Sequence, residues 1–293
     1  MLIVYMTMRH SMQKNAHSLL KVTIPARPEI LLKMTAIMAK ANPDVEQVVT
    51  TLKEDAGLYS IVLATVNSPR FGLRKQISSI SHAIVLLGLP KVFSLVRLVL
   101  LKSTLSKSDS MERFWDTASE VALITQELTS RYTELDCDNA YSIGMLHDCG
   151  IPIIMQADPK YKDILRQTNG ESSKALLEIE RNIYGMEHFT LGAKLVNKWE
   201  MPENVHKTII LQASFPEIIL KYKSRANDSL MYLSLLSIAK DISSNYRRFW
   251  RLNNRQEITP SIMTCLEYIG LCDYDYLDLK EEYIDSLEQT TTS

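Results

Sequence analysis

Apolar side chains recur along most of the chain at the three- and four-residue spacing of amphipathic helices. In the first third, this spacing predicts helices that begin near Ile30, Val45 and Leu58, followed by an apolar tract at 77–101. Further along it predicts helices at 114–132, 139–147, 151–155, 176–184, 191–199, 205–211, 230–242, 262–269 and 274–287. No stretch shows the strict alternation that is typical of a half-buried strand. The pattern therefore predicts an all-α fold.

Composition agrees with this fold and narrows the function. The chain has 293 residues, of which 9 are glycine, about 3% against a usual ~7%. Folds rich in strands and turns use more glycine than this. Lysine and arginine number 33 and aspartate and glutamate 34, so the net charge is -1. This balance argues against a nucleic-acid-binding function for the chain as a whole.

One segment, 246–255, combines four arginines with three aromatic residues. Such a cluster could contact nucleic acid or an acidic partner. Because the chain has no net positive charge and Glu281 and Glu282 lie in the following segment, a solvated helix face is the favoured interpretation. The cluster consists of Tyr246, Arg247, Arg248, Phe249, Trp250, Arg251 and Arg255.

The longest apolar tract, 84–101, contains Pro90, Lys91 and Arg97. A membrane span would place these residues in hydrocarbon at high cost, so the tract predicts a buried helix and no membrane association. The four cysteines are irregularly spaced and form no C-x-x-C motif. They are most compatible with free thiols in a reducing compartment, which predicts a cytoplasmic protein.

The sharpest chemical signal is the doublet His147-Asp148, within Gly144-Met145-Leu146-His147-Asp148-Cys149-Gly150. An imidazole and a carboxylate at a helix end can both reach one Fe, Mn, Zn or Mg ion. A lone His-Asp pair also occurs often by chance. On spacing alone, a His and an Asp that cap or bridge helices are the favoured interpretation, and a metal site is the alternative.

Residues 22–214 resemble the HDOD family, a bacterial branch of the HD phosphohydrolase superfamily. The resemblance rests on several separate motifs that follow one another in the family's order. They are Ile24-Pro25-Ala26-Arg27-Pro28-Glu29, Val66-Asn67-Ser68-Pro69-Arg70-Phe71-Gly72, Ile77-Ser78-Ser79-Ile80, Ala83-Ile84-Val85-Leu86-Leu87-Gly88-Leu89, Phe114-Trp115, Leu146-His147-Asp148-Cys149-Gly150, Tyr184-Gly185-Met186-Glu187-His188 and Trp199-Glu200-Met201-Pro202-Glu203.

The resemblance implies an N-terminal helical lobe at 22–110, packed on an HD-like helical lobe at 111–245. An N-terminal extension at 1–21 and a C-terminal helical extension at 246–293 complete the predicted organisation. The HDOD resemblance also implies a signalling or regulatory function.

In the HD superfamily, a metal site draws on a first His, the His-Asp doublet, later His residues and a late Asp. By resemblance, His147, Asp148, His188 and Asp241 occupy four of these positions. Thr117 stands where the first His is expected, and Gln212-Ala213 stand where a later His pair is expected. A catalytic metal needs enough protein ligands to hold it and an open position for water.

The incomplete ligand set predicts a degenerate site. A structural, hydrogen-bonded cluster of these side chains is favoured, with no catalytic residues and no cofactor. A weakly bound divalent ion (Fe, Mn, Zn or Mg) is the alternative.

The resulting functional hypothesis is a signal-transduction or regulatory HDOD protein that acts by binding, without catalysis. Its expected contact surfaces are the helical lobe around 67–101 and the cleft near the degenerate site. A protein partner in a signalling pathway is expected, and a nucleotide or second messenger is a further candidate ligand. The alternative hypothesis is a metal-dependent phosphohydrolase that acts on a nucleotide or another phosphoester.

Overall fold

The computed structural model describes residues 22–68, 71–73, 75–106, 111–168, 173–249 and 258–291. Within these ranges no strand occurs, which confirms the predicted all-α fold. The helices are α1 (Glu29–Met38), α2 (Val45–Lys53), α3 (Ala56–Val66), α4 (Ile80–Leu87), α5 (Leu89–Leu105), α6 (Glu112–Tyr132), α7 (Cys137–Leu146), α8 (Gly150–Ala157), α9 (Tyr161–Gln167), α10 (Ser173–Tyr184), α11 (His188–Lys198), α12 (Glu203–Leu211), α13 (Glu217–Tyr222), α14 (Asp228–Phe249), α15 (Pro260–Ile269) and α16 (Asp273–Thr291).

Some predicted features lie outside the described residues. The N-terminal extension 1–21 is one of them. The basic-aromatic cluster is another, because nothing is described of the side chains at 245–249 or of residues 250–257. The predicted boundary between 245 and 246 falls inside α14, which continues to Phe249. The predicted lobe boundaries stay predictions.

Helices α1 to α5 pack against one another and are called the N-terminal group here. The apolar tract at 77–101 forms two of its helices, α4 and α5, which are separated by Gly88 at φ +85°. Glycine adopts this left-handed backbone without the steric cost that a Cβ brings. Most apolar residues of α5 are buried, and no helix in the described ranges has both the length and the apolar composition of a membrane span.

Asn67 holds the loop between α3 and α4 in place. Its Nδ2 donates to the carbonyl oxygens of Leu63 and Ile77, at 3.0 and 2.8 Å. Its Oδ1 accepts from the backbone N–H of Ile77 at 2.7 Å. One side chain thus satisfies backbone groups on both sides of the loop, as buried backbone groups require.

The other helices form a bundle in which α14 contacts α6, α7, α12, α15 and α16. Helices α6 and α7 approach closely because α7 carries Gly144, where a Cβ would lie 2.4 Å from the Cα of Ala122. Buried apolar residues from both groups form one continuous core.

Two sequence motifs meet where the N-terminal group contacts this bundle. The indole of Trp199 donates to the carbonyl oxygen of Pro25 at 3.4 Å. The Arg27 guanidinium lies 2.7 Å from the Glu200 carboxylate, and Arg97 of α5 donates to the Glu200 carbonyl oxygen. The segment that follows α11 therefore ties the start of the N-terminal group to the bundle.

Candidate functional site

The His147-Asp148 doublet lies in the tight turn between α7 and α8. The turn is closed by a hydrogen bond from the Cys149 N–H to the Leu146 carbonyl oxygen, at 3.0 Å. Gly150 starts α8, and a Cβ there would lie 1.8 Å from the carbonyl oxygen of His188. Only glycine permits this approach of α8 to the start of α11. The approach brings His188 next to the doublet.

Asp148 is at the centre of the cluster. One of its carboxylate oxygens lies 3.2 Å from Nε2 of His147. The other lies 3.9 Å from Nε2 of His188 and 3.5 Å from Nζ of Lys240. Burial by itself would raise the pKa of Asp148, but His147, Lys240 and His188 outweigh it and hold the pKa well below its usual value. Asp148 is therefore a stabilised carboxylate surrounded by cationic or polarisable groups.

The Nδ1 atom of each histidine, on the ring side away from Asp148, has a hydrogen-bond partner of its own. Nδ1 of His147 lies 2.6 Å from the carbonyl oxygen of Gly144. A carbonyl oxygen can only accept, so this Nδ1 carries the proton. Nδ1 of His188 lies 2.8 Å from both carboxylate oxygens of Glu180, which also accepts from the His188 backbone N–H at 2.9 Å. Both rings therefore turn Nε2 toward Asp148.

Glu180 is the least expected member of the cluster, because it is fully buried, at 0% exposure. It also accepts a hydrogen bond from the hydroxyl of Tyr161. Burial in contact with this carboxylate raises the pKa of Tyr161. A buried carboxylate with four hydrogen-bond contacts to donors on α9 and α11 fixes how these helices meet α10.

Lys240 and Gln212 close the cluster on the side of α14. Gln212 donates from Nε2 to the carbonyl oxygen of His147 at 2.8 Å, and its Oε1 accepts from Nζ of Lys240 at 3.1 Å. The same Nζ lies 5.7 Å from the ring centroid of Phe189. The ammonium thus has a carboxylate, an amide oxygen and an aromatic ring around it, all of which attract a cation.

Asp241, the fourth residue of the predicted set, has partners on α16. It accepts a hydrogen bond from the Tyr276 hydroxyl and lies 3.9 Å from Nζ of Lys280. Adjacent residues of a helix point about 100° apart, so Lys240 and Asp241 serve different neighbours. The structure brings His147, Asp148 and His188 together and places Asp241 beside Tyr276 and Lys280.

These donors do not fit a catalytic metal. The Thr117 hydroxyl, at the position of the first histidine, donates to the carbonyl oxygen of Arg113 within its own helix at 2.8 Å. Gln212 and Lys240 are hydrogen-bonded to each other, and Lys240 already compensates the charge of Asp148. Among the residues that the structure describes, no three or more His, Cys, Asp or Glu side chains are arranged to hold a metal ion.

Comparison with known proteins decides the family. The sequence profile of the HDOD domain matches residues 24–215. The chain belongs to the HDOD family. An uncharacterized protein of Treponema pallidum (strain Nichols) is 26% identical to this HDOD protein over 255 residues, which cover 82% of this chain and 48% of the other. The chain thus spans about half the length of this relative.

Solved structures share the fold. A protein of Shewanella amazonensis SB2B named "Putative phosphohydrolase" aligns with TM-score 0.65 and 20% identity over 90% of both chains. A protein of Marinobacter aquaeolei VT8 named "Putative signal transduction protein" aligns with TM-score 0.64 and 20% identity, over 96% of this chain and 64% of the other. At this identity the likeness establishes the helical fold alone.

A cavity of about 470 Å³ lies between the N-terminal group of this HDOD protein and the first half of α7. Lys91 faces it and pairs with Asp138 at 3.3 Å. Arg97 faces it with its guanidinium 4.3 Å from the Phe93 ring, and its buried Nε has no hydrogen-bond partner within the described residues. The lining residues are Leu87, Pro90, Lys91, Ser94, Arg97, Asp136, Asp138, Asn139, Ser142, Met201 and Pro202.

Sequence reasoning missed Glu180, Lys240 and most of the cavity. Glu180 and Lys240 look in the sequence like charges on the solvated faces of amphipathic helices. The sequence feature that could have indicated Lys240 is its position directly before Asp241, on a helix that the resemblance already assigns to the site. The available signal for the cavity was Lys91 and Arg97, which interrupt an otherwise apolar tract.

Proposed function

We propose that this HDOD protein is a signalling or regulatory module that binds a small ligand and acts through a protein partner, without catalysis. The observation that carries this proposal is the cavity between the N-terminal group and α7. Its volume of about 470 Å³ lies within the ~300–1,000 Å³ of small-molecule sites. The signalling name of the Marinobacter protein is consistent with this role.

The lining of the cavity indicates the chemistry of the ligand. Lys91 and Arg97 line the cavity and attract an anionic group. Asp138, on the facing helix, can accept from amino or hydroxyl groups. A nucleotide carries both kinds of group, so nucleotides and nucleotide second messengers are the favoured ligand class.

Thermal unfolding with single nucleotides tests the proposal. A ligand that binds only the folded protein raises the unfolding midpoint. We expect one of AMP, GMP, ATP, GTP or a cyclic dinucleotide to raise the midpoint of the wild type. Arg97→Met should abolish that shift. The control Arg166→Met, on the surface of α9 with 78% of its side chain exposed, should keep it. No shift with any nucleotide, or an equal shift in Arg97→Met, would contradict the proposed ligand site.

A metal-dependent phosphohydrolase is the second candidate. It is favoured by the two imidazoles that turn Nε2 toward Asp148, since this is how metal-binding histidines are oriented. If a divalent ion were held there, it would activate water for attack on a phosphoester. Purified protein with added Mn²⁺ or Fe²⁺, compared with Asp148→Ala, tests this candidate. We expect no hydrolysis from either protein, and turnover that Asp148→Ala abolishes would establish the second candidate instead.

A further inference from the structure

We infer that the ammonium of Lys240 is a built-in substitute for a bound cation at Asp148. Its Nζ lies 3.5 Å from the Asp148 carboxylate and 3.1 Å from Oε1 of Gln212, with the face of Phe189 at 5.7 Å. A carboxylate, an amide oxygen and a ring are the surroundings that a cation requires when it is partly removed from water. The cluster has thus kept a cation, but one that is tethered to α14.

The rest of the cluster is still oriented as ligands are. Nε2 of His147 and Nε2 of His188 lie 3.2 and 3.9 Å from the two Asp148 oxygens. Their Nδ1 atoms are held by the Gly144 carbonyl oxygen and by buried Glu180. Hydrogen bonds of this kind fix the ring and tautomer of metal-binding histidines. Two imidazoles and one carboxylate are a donor set that divalent transition metals accept.

Electrostatic repulsion explains why the Lys240 ammonium and a divalent metal ion cannot both lie beside Asp148. A divalent ion bound to Asp148 would lie within a few ångströms of Nζ, where like charges repel strongly in a partly buried site. With Lys240 in place, Asp148 is already neutralised and its Oδ1 is engaged. With Lys240 in place, His147, Asp148 and His188 are not arranged to hold a metal ion. Removal of this one charge should therefore let these three side chains close around a divalent ion.

The test uses the full chain and Mn²⁺ alone as the probe. Lys240→Met keeps an unbranched apolar stem and removes the charge. Lys280→Met is a matched control, because Nζ of Lys280 also lies near a carboxylate, Asp241, and also lies 5.7 Å from an aromatic ring centroid. We expect Lys240→Met to bind one Mn²⁺ at least about tenfold more tightly than the wild type. Mn²⁺ should also raise its unfolding midpoint. Lys280→Met should bind as the wild type does.

The double variant Lys240→Met/Asp148→Asn tests whether the Mn²⁺ ion binds at Asp148. It should lose the increase in Mn²⁺ affinity that Lys240→Met shows. Lys240→Gln is a second variant with a shorter, polar side chain, which gives the same readout should the methionine variant not fold. The inference would be overturned if Lys240→Met or Lys240→Gln folded but bound Mn²⁺ no more tightly than the wild type. It would also be overturned if the double variant kept the tighter Mn²⁺ binding.

The inference rests on the proposed function in one respect, since both hold that wild-type Asp148 has no resident metal ion. The proposed function and the inference about Lys240 are refuted by different results. Turnover of a phosphoester by the wild type would refute the proposed function. Equal Mn²⁺ affinity of the wild type and Lys240→Met would refute the role of Lys240, whatever the wild type catalyses.

Discussion

Charged side chains beside the two ends of α7 have different surroundings. Beside its first half, Asp138 of α7 and Lys91 and Arg97 of α5 face a cavity of about 470 Å³. At its last residue, the chain turns into His147 and Asp148. The Asp148 carboxylate lies beside His188 of α11 and Lys240 of α14, and Glu180 of α10 holds His188. Breaking a buried charge pair is strongly destabilising, whereas a partly exposed pair such as Lys91–Asp138 contributes little to stability. Under the proposed function, ligand recognition belongs to the first half of α7 and structural integrity to its end.

The largest effect is expected from Glu180→Ala, at the His147-Asp148 end of α7. The substitution leaves the His188 N–H and Nδ1 and the Tyr161 hydroxyl without their acceptor. Removal of one member of a buried charged network typically costs about 3–5 kcal/mol, so we expect a loss of about 4 kcal/mol in the free energy of unfolding. Urea denaturation measures it. Glu178→Ala, exposed on the same helix, should change stability by less than about 0.5 kcal/mol.

Gly150→Ala should give the next largest effect. Its Cβ would overlap the His188 carbonyl oxygen at 1.8 Å, so α8 and α11 must separate. Overpacking of this kind costs about 3 kcal/mol, which chemical denaturation would detect. Gly57→Ala is the control, because the atom that its Cβ would meet is the end of the Asp55 side chain at 3.3 Å. A Gly150→Ala protein as stable as this control would show that the close approach of α8 and α11 is not required.

Asp148→Asn tests the charge at the centre of the cluster. The pKa of Asp148 is held well below its usual value, so its carboxylate contributes stability at neutral pH. This stability is lost as the pH falls from the unfolded-state pKa, about 4, through the lower folded-state pKa. We expect Asp148→Asn to lose about 2 kcal/mol near pH 7 and to lose less on acidification than the wild type. Unfolding measured across the acid range checks this.

Asp163→Asn is the control for this titration, since Asp163 is 64% exposed in its pair with Arg166. Its stability should follow that of the wild type over the whole pH range. Parallel pH profiles of Asp148→Asn and the wild type would show that the charge of Asp148 has no structural role.

The fold was predictable from the sequence because the long helices have strong apolar periodicity. Helices α9 and α13, of 7 and 6 residues, were not predicted, since one or two turns are too short to show such a period. The turn at His147 was predictable from the HDOD resemblance and from Gly150. The family match over residues 24–215 confirms that resemblance.

The partners of that turn were not predictable. Glu180 and Lys240 have the sequence spacing of surface charges, and only tertiary packing decides that one is buried and the other reaches Asp148. The case of Asp241 is similar. The resemblance assigned a function to this position, but a rotation of 100° per residue directs its neighbour Lys240 to the cluster and Asp241 to Tyr276. A sequence specifies which side chains a helix carries more reliably than which neighbour each one meets.

The smallest effect on stability is expected from Lys91→Met, at the cavity end of α7. Lys91 and Asp138 lie 3.3 Å apart with 36% and 31% of their side chains exposed, and exposed pairs contribute about 0.2–1 kcal/mol. We expect a loss of about 0.5 kcal/mol or less, together with at least about tenfold weaker binding of the nucleotide that stabilises the wild type. Lys207→Met removes a comparable exposed pair, with Glu203, and should leave nucleotide affinity unchanged. Urea denaturation and titration calorimetry separate the two quantities. A loss above about 2 kcal/mol would mean that this end of α7 also serves the fold, and the contrast between the two ends would then fail.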